Sequence, residues 1–210
     1  MPAPSMIDPS WRPPVLTGER LWLRPLDERD ADSLFAAASN RNVTKYTLWE
    51  AHQSRDDALE FLRTYVAEHY REGVPDPLGI VLRGDPHPTL PHPWGEGGAG
   101  GPVVGCVGCR WASEKNRSME FGYWIAEPFW GRGLVVEGAR LLIDHVFATY
   151  DVERVQAHCF APNSASARVL EKLGLSFEGT HRSALWHRGR FWDLKMYAVL
   201  RHEWPIRPTT

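Results

Sequence analysis

Residues Glu120 to Val136 read Glu-Phe-Gly-Tyr-Trp-Ile-Ala-Glu-Pro-Phe-Trp-Gly-Arg-Gly-Leu-Val-Val, and this stretch decides how the chain folds. An apolar strand runs into a turn containing Pro128, then into a Gly131-x-Gly133 loop that opens a helix. Such a junction presents unpaired backbone N–H groups at the positive end of a helix dipole. It predicts an anion site, with a phosphate or pyrophosphate as occupant. Gly131 and Gly133 let the backbone approach the anion without a Cβ in the way.

Working outward, Arg20-Leu-Trp-Leu-Arg24 alternates as a strand does, and Asp30 precedes a short helix from Ala31 to Ser39. Ser54 is an N-cap for a second helix carrying Leu59, Leu62, Tyr65 and Val66 at helical spacing. Strands are expected over Leu78–Leu82, Val103–Trp111 and Ser118–Ile125. A helix from about Arg132 to Thr149 places Leu134, Gly138, Leu141, Leu142 and His145 on one stripe. Val152–Phe160 reads as another strand, followed by a helix capped by Asn163 or Ser164 and stopped by Gly174. Phe177–Trp186 and Arg190–Leu200 form a closing hairpin. Residues 1–14 are expected to be a flexible tail, and 84–102, crowded with Pro, Gly and His, a mobile loop inside one domain spanning 15–205.

The chain has 210 residues, 43% of them hydrophobic, a net charge of −2 and no apolar run long enough to span a bilayer. No global basic field recruits nucleic acid or an anionic membrane. Three cysteines make no complete disulfide framework, and no apolar signal core opens the chain, so a cytoplasmic protein with reduced thiols is expected. Cys106 and Cys109, three apart on a strand, point to opposite faces and cannot chelate together, so no metal is expected.

A dinucleotide fingerprint would need a third glycine at position 136, where Val stands, and the mixed order of strands and helices does not fit an all-parallel sheet. A P-loop is excluded because no Gly-Lys-Ser/Thr occurs. Two segments instead carry a resemblance. Trp130-Gly-Arg-Gly-Leu-Val135 and, downstream, Asn163-x-x-Ser166 followed by Val169-Leu-Glu-Lys-Leu-Gly174 resemble the GNAT superfamily of acyl-CoA-dependent N-acetyltransferases. The likeness is to its Rim-type branch, which acetylates N-termini of ribosomal proteins, and it covers roughly Arg20 to Trp204. Glu137 also matches, whereas Val135 replaces the family's usual small residue.

The resemblance implies an α/β (α+β) fold: a mixed, mostly antiparallel, splayed sheet flanked by helices on both faces. It implies acetyl-CoA as co-substrate, direct attack by a primary amine in a ternary complex, and cofactor contacts from Trp124, Ile125, Gly131, Arg132, Gly133, Leu134, Val135, Asn163 and Ser166. Freed N–H groups near Trp124 and Ile125 would polarise the thioester carbonyl. His158 falls where some relatives place a carboxylate base, and an imidazole titrating near neutrality can serve. Glu120 shares a face with Gly122 and Trp124 by alternation, so it can bind or relay the proton of the incoming ammonium. Ser166 is placed by the resemblance to meet the departing sulfur as general acid. Three readings follow: a protein N-terminal acetyltransferase, an acetyltransferase of polyamines, amino acids or antibiotics, or an acyl-CoA-binding module without turnover. An exposed Trp-bearing face is compatible with a homodimer.

Overall fold

The computed structural model describes residues 10–84 and 100–205. The expected loop is thereby described only at its two ends, since 85–99 lie outside the described residues. The chain begins with β1 (Leu16–Thr17) and β2 (Leu21–Arg24), then α1 (Ala31–Ala38). Next comes one helical run in three parts: α2 (Arg55–Phe61), a π-helical segment over Leu62–Val66, and α3 (Ala67–Arg71). Strands β3 (Leu78–Leu82), β4 (Val103–Ser113) and β5 (Ser118–Ile125) follow, then α4 (Leu134–Thr149), β6 (Arg154–Phe160), α5 (Ser164–Leu173), β7 (Ser176–His187) and β8 (Arg190–Leu200).

Among the described residues these strands form one sheet in the order β1-β2-β3-β4-β5-β6-β8-β7. Every neighbouring pair is antiparallel except β5–β6, which is parallel. That exception positions the site. The β5–β6 pairing spans only Ser118–Glu120 against Arg154–Gln156, although β5 continues along β4 to Ile125 and β6 continues along β8 to Phe160. Beyond Glu120 the two strands part, and the mostly antiparallel splayed sheet expected from the sequence is what the chain adopts.

Helices cover both faces. Leu34, Ala58, Leu62 and Val66 of α1 and the α2 run pack with Val81, Val103 and Cys106, while α4 and α5 lie over the larger cluster holding Leu23, Ile80, Val107, Cys109 and Met119. The two cysteines therefore do belong to opposite faces, and burial raises both thiol pKa values well above the usual range. The buried face of α4 runs through Leu134, Val135, Gly138, Ala139, Leu142, Ile143, Val146 and Phe147. This corrects the expected stripe: Leu141 and His145 sit at its half-buried margin, because the apolar residues form a double row rather than a single one. Helix α4 begins two residues later than expected, since both loop glycines keep left-handed backbone. Two further features lie near the N-terminal end. Trp11, inside the expected tail, donates its indole N–H to Tyr150 Oη at 3.0 Å, and β1 is a strand too short to carry a period.

Candidate active site

The parting of β5 from β6 opens a cleft of about 1340 Å³ whose wall includes Glu120, Gly122, Trp124, Ile125, His158 and Ser166. Its two ends differ in chemistry. At one end, Gly131 and Gly133 both take φ +75°, in the left-handed region that favours glycine. The first hydrogen bond of α4 runs from Glu137 N–H to Gly133 O, and no side chain caps the helix. The N–H groups of Leu134, Val135 and Val136 thus precede the helical ladder, and all three residues line the cleft. A Cβ on Gly131 would meet nothing within 4 Å, so the space beside that backbone is free for an anion. These residues fit the pyrophosphate of CoA.

Arg132, expected among the cofactor contacts, lays its guanidinium over the Phe129 ring, 5.3 Å from its centroid, and is not part of the cleft wall. Arg20, also outside the cleft wall, braces the loop. Its Nη1 donates to Arg132 O at 2.9 Å, its Nε donates to Glu137 Oε2 at 2.7 Å, and its Nη2 lies 3.6 Å from where a Gly133 Cβ would stand. Sequence reasoning missed Arg20 because it lies on the far side of the chain order. Glu137, which matched the family pattern, is the group that holds it. Arg168 and Lys172 on α5 add positive charge to the cleft lining.

Along the split, pairing parity decides which backbone groups are free. Ala126 N–H donates to Val104 O, so the alternation of an antiparallel pair turns the groups of Trp124 and Gly122 toward β4. Those of Phe121, Tyr123 and Ile125 face the gap. Of the two amides expected to polarise a carbonyl, only that of Ile125 is turned to the cleft; Trp124 contributes its side chain. The Ile125 carbonyl is already engaged, accepting from the Trp130 indole at 2.8 Å.

At the centre, His158 Nδ1 lies 2.7 Å from Glu120 Oε1. Glu120 is the last residue of β5 paired with β6, and His158, two residues beyond its partner Gln156, meets it where the strands part. The hydrogen bond to His158 holds the Glu120 carboxyl below the usual range against the opposing effect of burial, and Arg110 adds to it. An ionised carboxylate can only accept, so a neutral His158 donates from Nδ1 and keeps Nε2 as its basic nitrogen. Arg110 lies between two carboxylates, 3.6 Å from Glu120 and 3.7 Å from Asp76, and donates to Tyr65 Oη at 2.6 Å. Tyr65 donates in turn to Asp76 at 2.9 Å. Burial pushes the Asp76 carboxyl up, the opposite direction from Glu120.

On the other wall, Asn163 caps α5 by accepting from Ser166 N–H at 3.1 Å. Ser166 Oγ stands 2.7 Å from Tyr123 Oη. Tyr123 was not singled out from sequence, since it lies on the β5 face opposite Glu120; the one available signal was its placement beside the expected gap. Among the described residues no three His, Cys, Asp or Glu side chains gather as a metal site.

The family model described as acetyltransferase (GNAT) domain matches residues 20–176. The uncharacterized N-acetyltransferase YoaA of Bacillus subtilis is 28% identical over 188 residues, covering 90% of this chain and 97% of its own. The putative ribosomal N-acetyltransferase YdaF of the same organism is 27% identical, over 89% and 94%. Among solved structures, RimL, a ribosomal L7/L12 alpha-N-protein acetyltransferase in complex with coenzyme A, superimposes with a TM-score of 0.71 at 19% identity, over 89% of this chain and 98% of that one.

Proposed function

The chain belongs to the GNAT acetyltransferase family and is an acetyl-CoA-dependent N-acetyltransferase, and on that premise we propose that its acceptor is the N-terminal amine of a protein. The observation that carries the chemical part is the His158–Glu120 pair at the point where the β5–β6 ladder ends. An N-terminal ammonium has a pKa near 8. His158 Nε2 takes its proton, Glu120 steadies the imidazolium that forms, and the amine attacks the acetyl thioester directly. The Ile125 amide faces the gap where charge develops on the carbonyl oxygen. Ser166, backed by Tyr123, passes a proton to the leaving thiolate and regains one from the nitrogen as the tetrahedral intermediate collapses to the amide. The backbone N–H groups of Leu134 and Val135, with Gly131 and Gly133, hold the pyrophosphate, and Asn163 keeps α5 in place beside it.

The choice of a protein N-terminus is supported by the relatives named for ribosomal acetylation. A small cationic amine is the second reading, favoured by Glu60 in the cleft lining. The remaining parts of the proposal are that residues 15–205 act as one acyl-CoA N-acyltransferase domain and that the protein is cytoplasmic. Its three cysteines are all free and buried, and no described helix is long and apolar enough to cross a membrane. Trp186 and Phe191, each about 60% exposed, offer a surface for a homodimer.

The test is release of CoA thiol from acetyl-CoA across peptides with different first residues and a set of small amines. Higher kcat/KM with peptides supports the proposal; a preference for polyamines overturns it in favour of the second reading. In the same assay His158→Ala should lower kcat by about 10²–10⁴-fold and leave acetyl-CoA affinity unchanged.

A further inference from the structure

Once β5 and β6 have parted, the two halves of the sheet meet again above the cleft. The loop over 44–53 comes from the first half of the chain, and the turn joining β7 to β8 comes from the second. The Tyr46 ring packs on Phe160 and Trp192 of the second half, and one charged side chain of the turn reaches back across the same gap. The Arg188 guanidinium donates from Nε to Glu50 Oε1 at 2.9 Å, from Nη1 to Lys45 O at 3.2 Å and from Nη2 to Trp49 O at 3.2 Å. Trp49 stands edge-on to Trp124, ring centroids 5.9 Å apart, and both rings line the cleft on the face that carries Glu120.

The backbone supplies a second observation. Arg188 sits at φ +51° and Gly189 at φ +75°, the left-handed pair of a two-residue hairpin turn. Asn or Gly would occupy the first position without strain, whereas Arg is strained there. Strain of this kind persists where surrounding contacts over-determine it. The contacts here are the three bonds to the loop.

We propose that Arg188 is a positioning residue for the acceptor amine. By bracketing the 45–50 segment it fixes the Trp49 ring against Trp124 and so sets the width of the acceptor entrance, leaving the CoA side untouched. The inference rests on N-acetyl transfer at this cleft and not on which amine enters it.

Two variants separate positioning from folding. Arg188→Asn suits the left-handed position and cannot reach the loop, while Arg188→Lys keeps the charge toward Glu50 and loses the fork. For Arg188→Asn we expect Tm and acetyl-CoA affinity unchanged and faster amide exchange confined to residues 44–53. KM for the best amine of the panel should rise about tenfold with kcat within about twofold, and Arg188→Lys should fall between. Unchanged exchange and unchanged amine KM would overturn the proposal. A lowered Tm with kcat and both substrates affected alike would also do so, because it would make Arg188 a part of the fold only. The exchange measurement needs no acceptor, so its result stands apart from any failure to find the right amine.

Discussion

At the residue scale, the site sets two carboxylates to opposite tasks through one arginine. Glu120 is held ionised by His158 and Arg110, while burial favours the protonated form of Asp76. The linkage signs are therefore opposite. A carboxyl depressed in the fold stabilises it above the unfolded pKa, and that stability is lost as pH falls through the folded value. A carboxyl raised in the fold costs stability at neutral pH, and the cost disappears in acid. Glu120→Gln should thus be destabilised relative to the parent at pH 7, with the difference shrinking below about pH 4.5. Asp76→Asn keeps an acceptor for Tyr65 and should be neutral or stabilised at pH 7, its difference also shrinking in acid. Urea titrations at pH 7 and pH 4 check both signs; the same sign for both variants would refute the assignment. Glu120→Gln should also lower kcat by roughly 10²-fold by removing the group that steadies the His158 imidazolium.

At the element scale, the split between β5 and β6 and the loop before α4 make the cleft, and they were legible to different degrees. The loop was plain in the sequence because glycine at φ +75° and an uncapped helix start are local features. Expectation placed Glu120 on the cleft face because period-two alternation is local too. The partners that complete each group come from distant segments: Arg20 for the loop, Tyr123 for Ser166, Arg110 with Asp76 for Glu120. Side-chain direction after a helix break is also illegible, which is why Arg132 was expected on the anion and lies on Phe129. The loop yields a direct prediction. Gly131→Ala places a Cβ in the space left for the anion and asks Ala for a left-handed backbone at a cost of roughly 1–2 kcal/mol. Acetyl-CoA Kd, read by calorimetry, should rise about tenfold or more. A variant that binds as tightly as the parent would show that the anion is held elsewhere. Asn163→Ala, by contrast, should act first on stability, losing about 1 kcal/mol with the α5 cap.

At the scale of the whole molecule, the sheet consists of a β1–β5 half and a β6–β8 half joined by three residue pairs of one parallel ladder. Above that seam, the cleft wall draws on β5 and the start of α4 from one side and on β6 and α5 from the other. Acetyl-CoA held as proposed would touch both halves and bind only the folded chain, so it should stabilise the molecule as a unit. At a concentration of 100 times Kd the gain is about 2.7 kcal/mol. For a domain of this size each kcal/mol shifts Tm by about 2–4 °C, which puts the expected rise at roughly 5–11 °C. The variants divide on this measurement. His158→Ala, on β6 but outside the anion loop, should keep the whole rise although its turnover is lost. Gly131→Ala, at the same ligand concentration and a tenfold weaker Kd, should keep about half, since ten times Kd gives only about 1.4 kcal/mol. Thermal scans with and without acetyl-CoA therefore separate the binding end of the cleft from its reacting centre, and a His158→Ala protein that lost the rise as well would place the imidazole among the groups that hold the co-substrate.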